Sequence, residues 1–205
     1  MDDIFSIFIK EVGAPIHRQE VPPSSVDYYR GKLPTQLLKY WVEHGWCGYG
    51  DGIFWTVNPR EYQGVVESWI EGSALEKRDK YHLIARSAFG DLYLWGENSG
   101  FSVTIDSLLS RYTGEDVDLS LGGFDREVQN FFLSVDKESN DFGDLFEPAK
   151  KKLGLLKCDE MYGFVPALAL GGQVGLANLE KVKAVEHLMI LSQISPLEPY
   201  SFSDF

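Results

Sequence analysis

The apolar positions of the chain recur with two periods. Ile4, Phe5, Phe8 and Val12 share one helical face, so their spacing predicts a first helix. Leu33, Leu37, Leu38, Trp41 and Val42 form a second stripe, with Pro34 suited to the helix start and Gly45 to its stop. A third helix is predicted from Asn58 as cap, through Pro59 at the first position, to Gly72, turning Tyr62, Val65, Val66, Trp69 and Ile70 inward. IFWTV before it reads as a strand, and YHLIARSAFGDLYLWGENSGFSVTI reads as three strands joined by FGD and GENSG turns. APIHRQEVPPSS reads as a Pro-rich connector.

The second half repeats the alternation with different material. FDREVQNFFLSV is a helix with Asp125 as its cap and Val128, Phe131, Phe132 and Val135 inward; LFEPAKKKLG is a short helix stopped by Gly154. LEKVKAVEHLMILSQI keeps helical spacing through Val182, Val185, Leu188, Met189 and Ser192. The acidic, glycine-bearing segment TGEDVDLSLGG is the candidate boundary between the halves. The expected class is therefore α+β: two small domains, 1–113 and 114–205, each with helices packed on a short, mostly antiparallel sheet.

DEMYGFVPALALGGQVG raises a chemical question, because three glycines fall within five residues. A phosphate loop needs a Lys and a Ser or Thr after the last glycine, and Leu176, Ala177 and Asn178 stand there instead. No window spaces the glycines as a dinucleotide fingerprint. The stretch reads as a buried strand and its turn, with Pro166 placing the strand at an edge or its start at Ala167.

Composition narrows the function further. Nineteen basic residues face thirty-one acidic ones, a formal −12, and the acids are spread along the chain rather than gathered in a tail. Such a field repels nucleic acid and anionic membrane and favours encounter with basic proteins. Cys47 and Cys158 lie far apart with no ligand spacing, which fits a reducing compartment and no zinc site. The amino terminus opens on acids where a secretory signal would be basic, so a cytoplasmic location is expected. His17, His44, His82 and His187 make no helical metal pair, and no nucleophile elbow is present. His44 falls in a last helical turn, where the dipole favours a cation. No catalytic residue, metal or cofactor is expected.

HGWCGYGDGIFW places Trp46, Tyr49 and Asp51 between a helix and a strand, read as a loop. Aromatic residues beside a carboxylate make protein-binding anchors, although Trp46 and Tyr49 would equally serve by closing the core over the helix end. The turn acids Asp91 and Glu97 join these three as candidate contacts.

LPTQLLKYWVEHGWCGYGDGIFWTVNPREYQGVVESWI, followed by AFGDLYLWG, is similar to the GAD-like domain found in bacterial immunity proteins. LGLLKCDEMYGFVPALALGG and LEKVKAVEHLMILSQI resemble the domain that follows it in type VI secretion immunity proteins of the Tdi and Tsi kind. The resemblance implies a cytoplasmic antidote that neutralises a co-encoded secreted toxin, often a nuclease, by tight binding, and it brings no catalytic residues with it. A net charge of −12 would complement a nuclease groove that must be basic to hold phosphates. The expected function is an immunity protein that occludes the active or DNA-binding surface of a basic toxin. The rivals are a carboxylate-dependent hydrolase, which needs a pocket holding two carboxylates with shifted pKa values, and a general interaction module without a toxin.

Overall fold

In a computed structural model, the protein is described for residues 2–118, 120 and 122–201. An eight-stranded sheet forms its centre, in the order β1(Pro15–Gln19), β2(Trp46–Tyr49), β3(Phe54–Thr56), β4(Tyr81–Ser87), β5(Leu92–Gly96), β6(Ser102–Asp106), β7(Arg111–Glu115), β10(Glu198–Pro199). Every neighbour pair is antiparallel except β7 with β10, which run parallel. A separate two-stranded ribbon pairs β8(Glu160–Phe164) with β9(Leu179–Lys183). The α+β class read from the sequence is the class observed.

The helices form where the apolar spacing places them. Helix α1(Asp3–Val12) buries Phe5, Phe8 and Val12 and is capped by Asp2, whose Oδ1 accepts from Phe5 N at 2.9 Å. Helix α3(Thr35–His44) buries Leu37, Leu38, Tyr40 and Trp41, and α4(Gln63–Ile70) buries Val65, Val66, Trp69 and Ile70. In the second half come α5(Gly123–Ser134), α6(Phe146–Leu153) and α7(Ala184–Ser192). No helix among the described residues is long and apolar enough to cross a membrane.

Several local expectations are corrected. The connector APIHRQEVPPSS contains β1 and the start of α2(Pro23–Tyr29); β1 is an edge strand, exposed at all but one position, so it carries no apolar alternation. The helix expected from Pro59 begins at Gln63, because Asn58 closes a turn instead, its Oδ1 accepting from Arg60 N at 3.2 Å. Val42, placed in the buried stripe, is 61% exposed. TGEDVDLSLGG begins inside β7, and its Leu119 and Leu121 lie outside the described residues. LEKVKAVEHLMILSQI splits into β9 and α7, putting Val182 on the ribbon. DEMYGFVPALALGGQVG does hold a buried strand, but it ends at Phe164, before Pro166, and residues 165–178 form a largely exposed loop.

The two halves share one hydrophobic core. Phe132 of α5 lies 5.0 Å from the Phe5 ring, 5.1 Å from Phe8 and 5.3 Å from Tyr40. On the far side of the sheet, Ser68 of α4 and Ser192 of α7 share a 2.7 Å hydrogen bond. Arg86 on β4 is fully buried. Its guanidinium donates to Tyr62 Oη at 3.1 Å, to the Ser87 carbonyl at 3.2 Å, and to the carbonyls of Cys158 and Glu160 at 3.0 and 2.8 Å. A buried cation is tolerated when every donor is matched, and here the acceptors from β8 and the residues before it tie the ribbon to the sheet.

Candidate functional site

Strand β6 alternates strictly, and its pairing with β5 and β7 gives the sheet one apolar face and one mixed aromatic and polar face. Leu92, Leu94, Val103 and Ile105 are buried on the first. The second bears Tyr93 and Trp95, then Ser102, Thr104 and Asp106, then Arg111, Thr113 and Glu115, in register across the three strands. Helix α5 roofs only part of it: Phe131 packs edge-on against Tyr93 with ring centroids 5.6 Å apart.

What stays open is a groove. Cavities of about 410, 310 and 350 Å³ run along it. The first and second share Ser102, Glu115, Phe131 and Ser134; the second and third share Trp95. Carboxylates line its whole length: Asp91 and Asp106 at one end, Glu115, Asp116 and Glu127 in the middle, Glu97 and Asp125 at the other. Burial leaves Asp91 largely protonated near neutrality, Arg78 and Lys80 pair with Asp116 and Glu97, and Lys32 also lines one end, yet acids outnumber bases on this concave surface and give it an acidic field.

These acids are held in place. Burial raises the Asp91 carboxyl to about 7, against the hydrogen bond from Ser87 Oγ at 2.7 Å. Asp106 accepts from Tyr200 Oη at 2.7 Å and caps Leu108 N and Leu109 N at 3.0 Å each. Burial also pushes the Glu97 carboxyl upward, but His82 Nε2 at 2.8 Å and the Lys80 charge outweigh it and leave it below its ordinary value. Burial lowers His82 in turn, so at neutral pH that contact is a hydrogen bond rather than an ion pair. Asp125 does not cap its own helix; its Oδ1 accepts from Gln36 N at 2.8 Å and so caps α3 across the groove's end. Asp116 pairs with Arg78 Nη2 at 2.6 Å on an exposed rim.

Of the five residues singled out in the sequence, Asp91 and Glu97 line the groove. Asp51 lies off it, with a solvent-accessible carboxylate 2.9 Å from Lys150 Nζ. Trp46 and Tyr49 stand in β2, not in a loop, and both are buried. Trp46 packs edge-on against Trp41 and Tyr49 against Phe8, so the aromatic pair closes the core. Asp106, Glu115, Asp116, Glu127 and Asp125 were missed as a set, because they converge only when β7 pairs with β6 and α5 folds over them. The polar alternation of SVTID was the available signal.

Other polar candidates are structural. Burial lowers His44 below its ordinary value, overriding the helix dipole, and its ring stacks on Phe5 at 4.1 Å. Cys47 and Cys158 are free thiols. Among the described residues no group of three or more His, Cys, Asp or Glu is arranged to hold a metal ion.

Residues 3–109, more than half of the chain, match the GAD-like domain, and residues 125–195 match the C-terminal domain of the T6SS immunity protein Tdi1. No curated protein matches the chain. The crystal structure of Atu4351 from Agrobacterium tumefaciens superposes with a TM-score of 0.86 at 23% identity, over 99% of this chain and 93% of that one. At that identity the likeness carries the fold.

Proposed function

We propose that this chain, which belongs to the GAD-like domain family and whose residues 125–195 match the C-terminal domain of a type VI secretion immunity protein, is an immunity protein that neutralises a basic toxin by docking it in the acidic groove. The observation that carries this reading is the line of seven carboxylates between α5 and the polar sheet face, within a chain of net charge −12. A nuclease domain fits that chemistry, since its groove is basic to hold phosphates, and carboxylates would take the place of the DNA backbone. Attraction over the whole body would speed the encounter, while buried contacts in the groove would slow release.

In this reading the protein acts by binding alone, in the cytoplasm of the cell that makes the toxin. The proposed contacts are Asp91, Glu97 and the other groove acids, with Asp51 at the periphery; Trp46 and Tyr49 support the strand from which the Asp51 turn leaves. Residues 1–113 would supply most of the groove floor, with Gly114 and Glu115 completing β7, and α5 of the second stretch its roof. Co-expression with the product of the neighbouring gene tests the function. That product should be toxic alone and harmless beside this protein; a product harmless alone, or equally toxic in both cases, overturns the reading.

One observation favours the hydrolase alternative: Asp91, in the groove, has a raised pKa. Its carboxyl is nevertheless engaged within its own turn, where Ser87 Oγ donates to it and accepts from Phe89 N and Asp91 N at 3.2 and 3.0 Å. That arrangement suits a turn-closing acid better than an acid poised over a substrate.

A further inference from the structure

The turn GENSG between β5 and β6 has every backbone donor engaged. Gly96 N donates to the Phe101 carbonyl at 3.0 Å, Glu97 N to the Lys80 carbonyl at 2.8 Å and Gly100 N to the Gly96 carbonyl at 3.0 Å. The other two go to one carboxylate from the loop before β4. Asp79 accepts from Asn98 N at 3.1 Å and Ser99 N at 2.8 Å, and also from Asn98 Nδ2 at 2.8 Å and Ser99 Oγ at 2.5 Å. Partial burial raises the Asp79 carboxyl, but these bonds outweigh it and bring it down to about 2. Gly96 leaves room for the carboxylate, since a Cβ there would lie 2.6 Å from Asp79 Oδ2. The acceptors of the turn are free. Among the described residues nothing donates to the carbonyls of Glu97, Asn98 or Ser99, and the contacts of Glu97 with His82 and Lys80 both fall on Oε2, leaving Oε1 without a partner. A fixed turn with its backbone donors engaged and its acceptors open is a poor seat for phosphate and a prepared one for a cation that carries several donors.

Glu97 also lines the end of the groove, a space of about 350 Å³, beside Trp95, Phe124 and Asp125. Phe124 stands edge-on to Trp95 with ring centroids 5.7 Å apart. Lys32 lines this end too, but its Nζ lies over the Tyr28 ring, 3.5 Å from the centroid, and among the described residues no ion pair joins it to Glu97 or Asp125. A guanidinium matches such a place better than an ammonium. Its planar fork of donors can take a carboxylate and neighbouring carbonyls together, and its flat faces pack on aromatic rings. We propose that this turn is a seat for arginine: an arginine side chain of the docked partner is bound by Glu97 Oε1 and the turn carbonyls, and Asp79 is the residue that positions them. The inference rests on the reading of the groove as the docking site and names one chemical group that enters it.

Heteronuclear NMR on the isotope-labelled full chain tests the proposal, with acetyl-triarginine amide, acetyl-trilysine amide and inorganic phosphate as probes. The arginine peptide should shift the amide signals of Glu97, Asn98 and Ser99 saturably and bind about tenfold more tightly than the lysine peptide of equal charge. Phosphate should leave the turn unmoved. Glu97→Gln, which keeps the shape of the side chain, should remove the preference for arginine. Asp79→Asn should remove it as well, and adding Glu97→Gln to Asp79→Asn should weaken binding no further. A purely structural Asp79 would give two losses that add. Asn98→Ala/Ser99→Ala, at exposed positions, loosens the same turn from its other side and should act like Asp79→Asn. Equal binding of the two peptides, shifts scattered over the acidic surface, or an arginine preference that survives Glu97→Gln overturns the proposal, as does phosphate binding at the turn. Each of these leaves the co-expression result untouched, so the turn can fail while the groove stands. A neighbouring product that is harmless alone fails the groove and leaves the arginine preference standing.

Discussion

Charge serves two opposite purposes on either side of the central sheet. Arg86 is fully buried and bound to four oxygens from three parts of the chain, so it functions as a fastener between the GAD-like sheet and the Tdi1-type segment. The groove acids lie on the other face, and all but the buried Asp91 are at least partly open to solvent; most are held by one or a few neighbours. Removing an interior charge whose partners cannot reach water costs folding free energy; reversing a groove charge should cost binding and little else. The difference separates residues that build the protein from residues that it uses.

The largest expected effect is therefore at Arg86. Arg86→Ala leaves the carbonyls of Cys158 and Glu160 and the Tyr62 hydroxyl without their donor, and should destabilise the protein by about 3 kcal/mol or more, read by urea denaturation. A loss under about 1 kcal/mol, the scale of a surface pair, would put Arg86 in the same class as the groove acids and end the comparison.

Asp91 belongs to both sides, and pH separates its roles. Its folded carboxyl keeps a proton up to about pH 7, whereas in the unfolded chain it ionises near the ordinary aspartate value. The folded state binds more protons in that window, so this contribution is full below the unfolded pKa and is lost as pH rises through about 7. Asp91→Asn should leave stability near wild type at acid pH and raise it by about 1–3 kcal/mol above neutrality. A substitution equally neutral at both pH values would show that the carboxyl is solvated in the groove rather than sunk beneath it.

Asp125 tests the roof. Asp125→Ala removes the cap that α5 supplies to α3 and should cost about 1 kcal/mol, seen as a small fall in Tm. At the smallest end, Glu115→Lys should change stability by no more than about 0.5 kcal/mol, because its carboxylate is exposed.

Much of this was legible in the sequence where one period dominates. The inner face of α4 and the three strands β4 to β6 follow directly from their apolar spacing, and FGD and GENSG do form the turns. Illegible parts share a physical cause: they are half-exposed or completed by distant residues. β1 is an exposed edge, and β7, read as RYTGE, has no buried position to reveal it. LEKVKAVEHLMILSQI fits a helix throughout, and pairing with β8 draws its first five residues into a strand. Arg86 looks like an ordinary charge in YHLIARS, because two of its carbonyl partners, at Cys158 and Glu160, lie more than seventy residues away. Within the candidate site, Asp91 and Glu97 were visible as turn acids, but the groove is a product of register and of the α5 roof.

The most direct test of the groove compares two charge reversals of equal size. Glu115→Lys/Asp116→Lys changes the groove, and Glu11→Lys/Glu20→Lys makes the same net change on exposed acids outside it. Affinity for the purified toxin should fall about a hundredfold or more for the groove pair, roughly 2.7 kcal/mol, with a weaker dependence on salt. The outside pair should lose less than about tenfold. Equal losses from both pairs would mean that overall charge, and not the groove, draws the toxin, and would contradict the account.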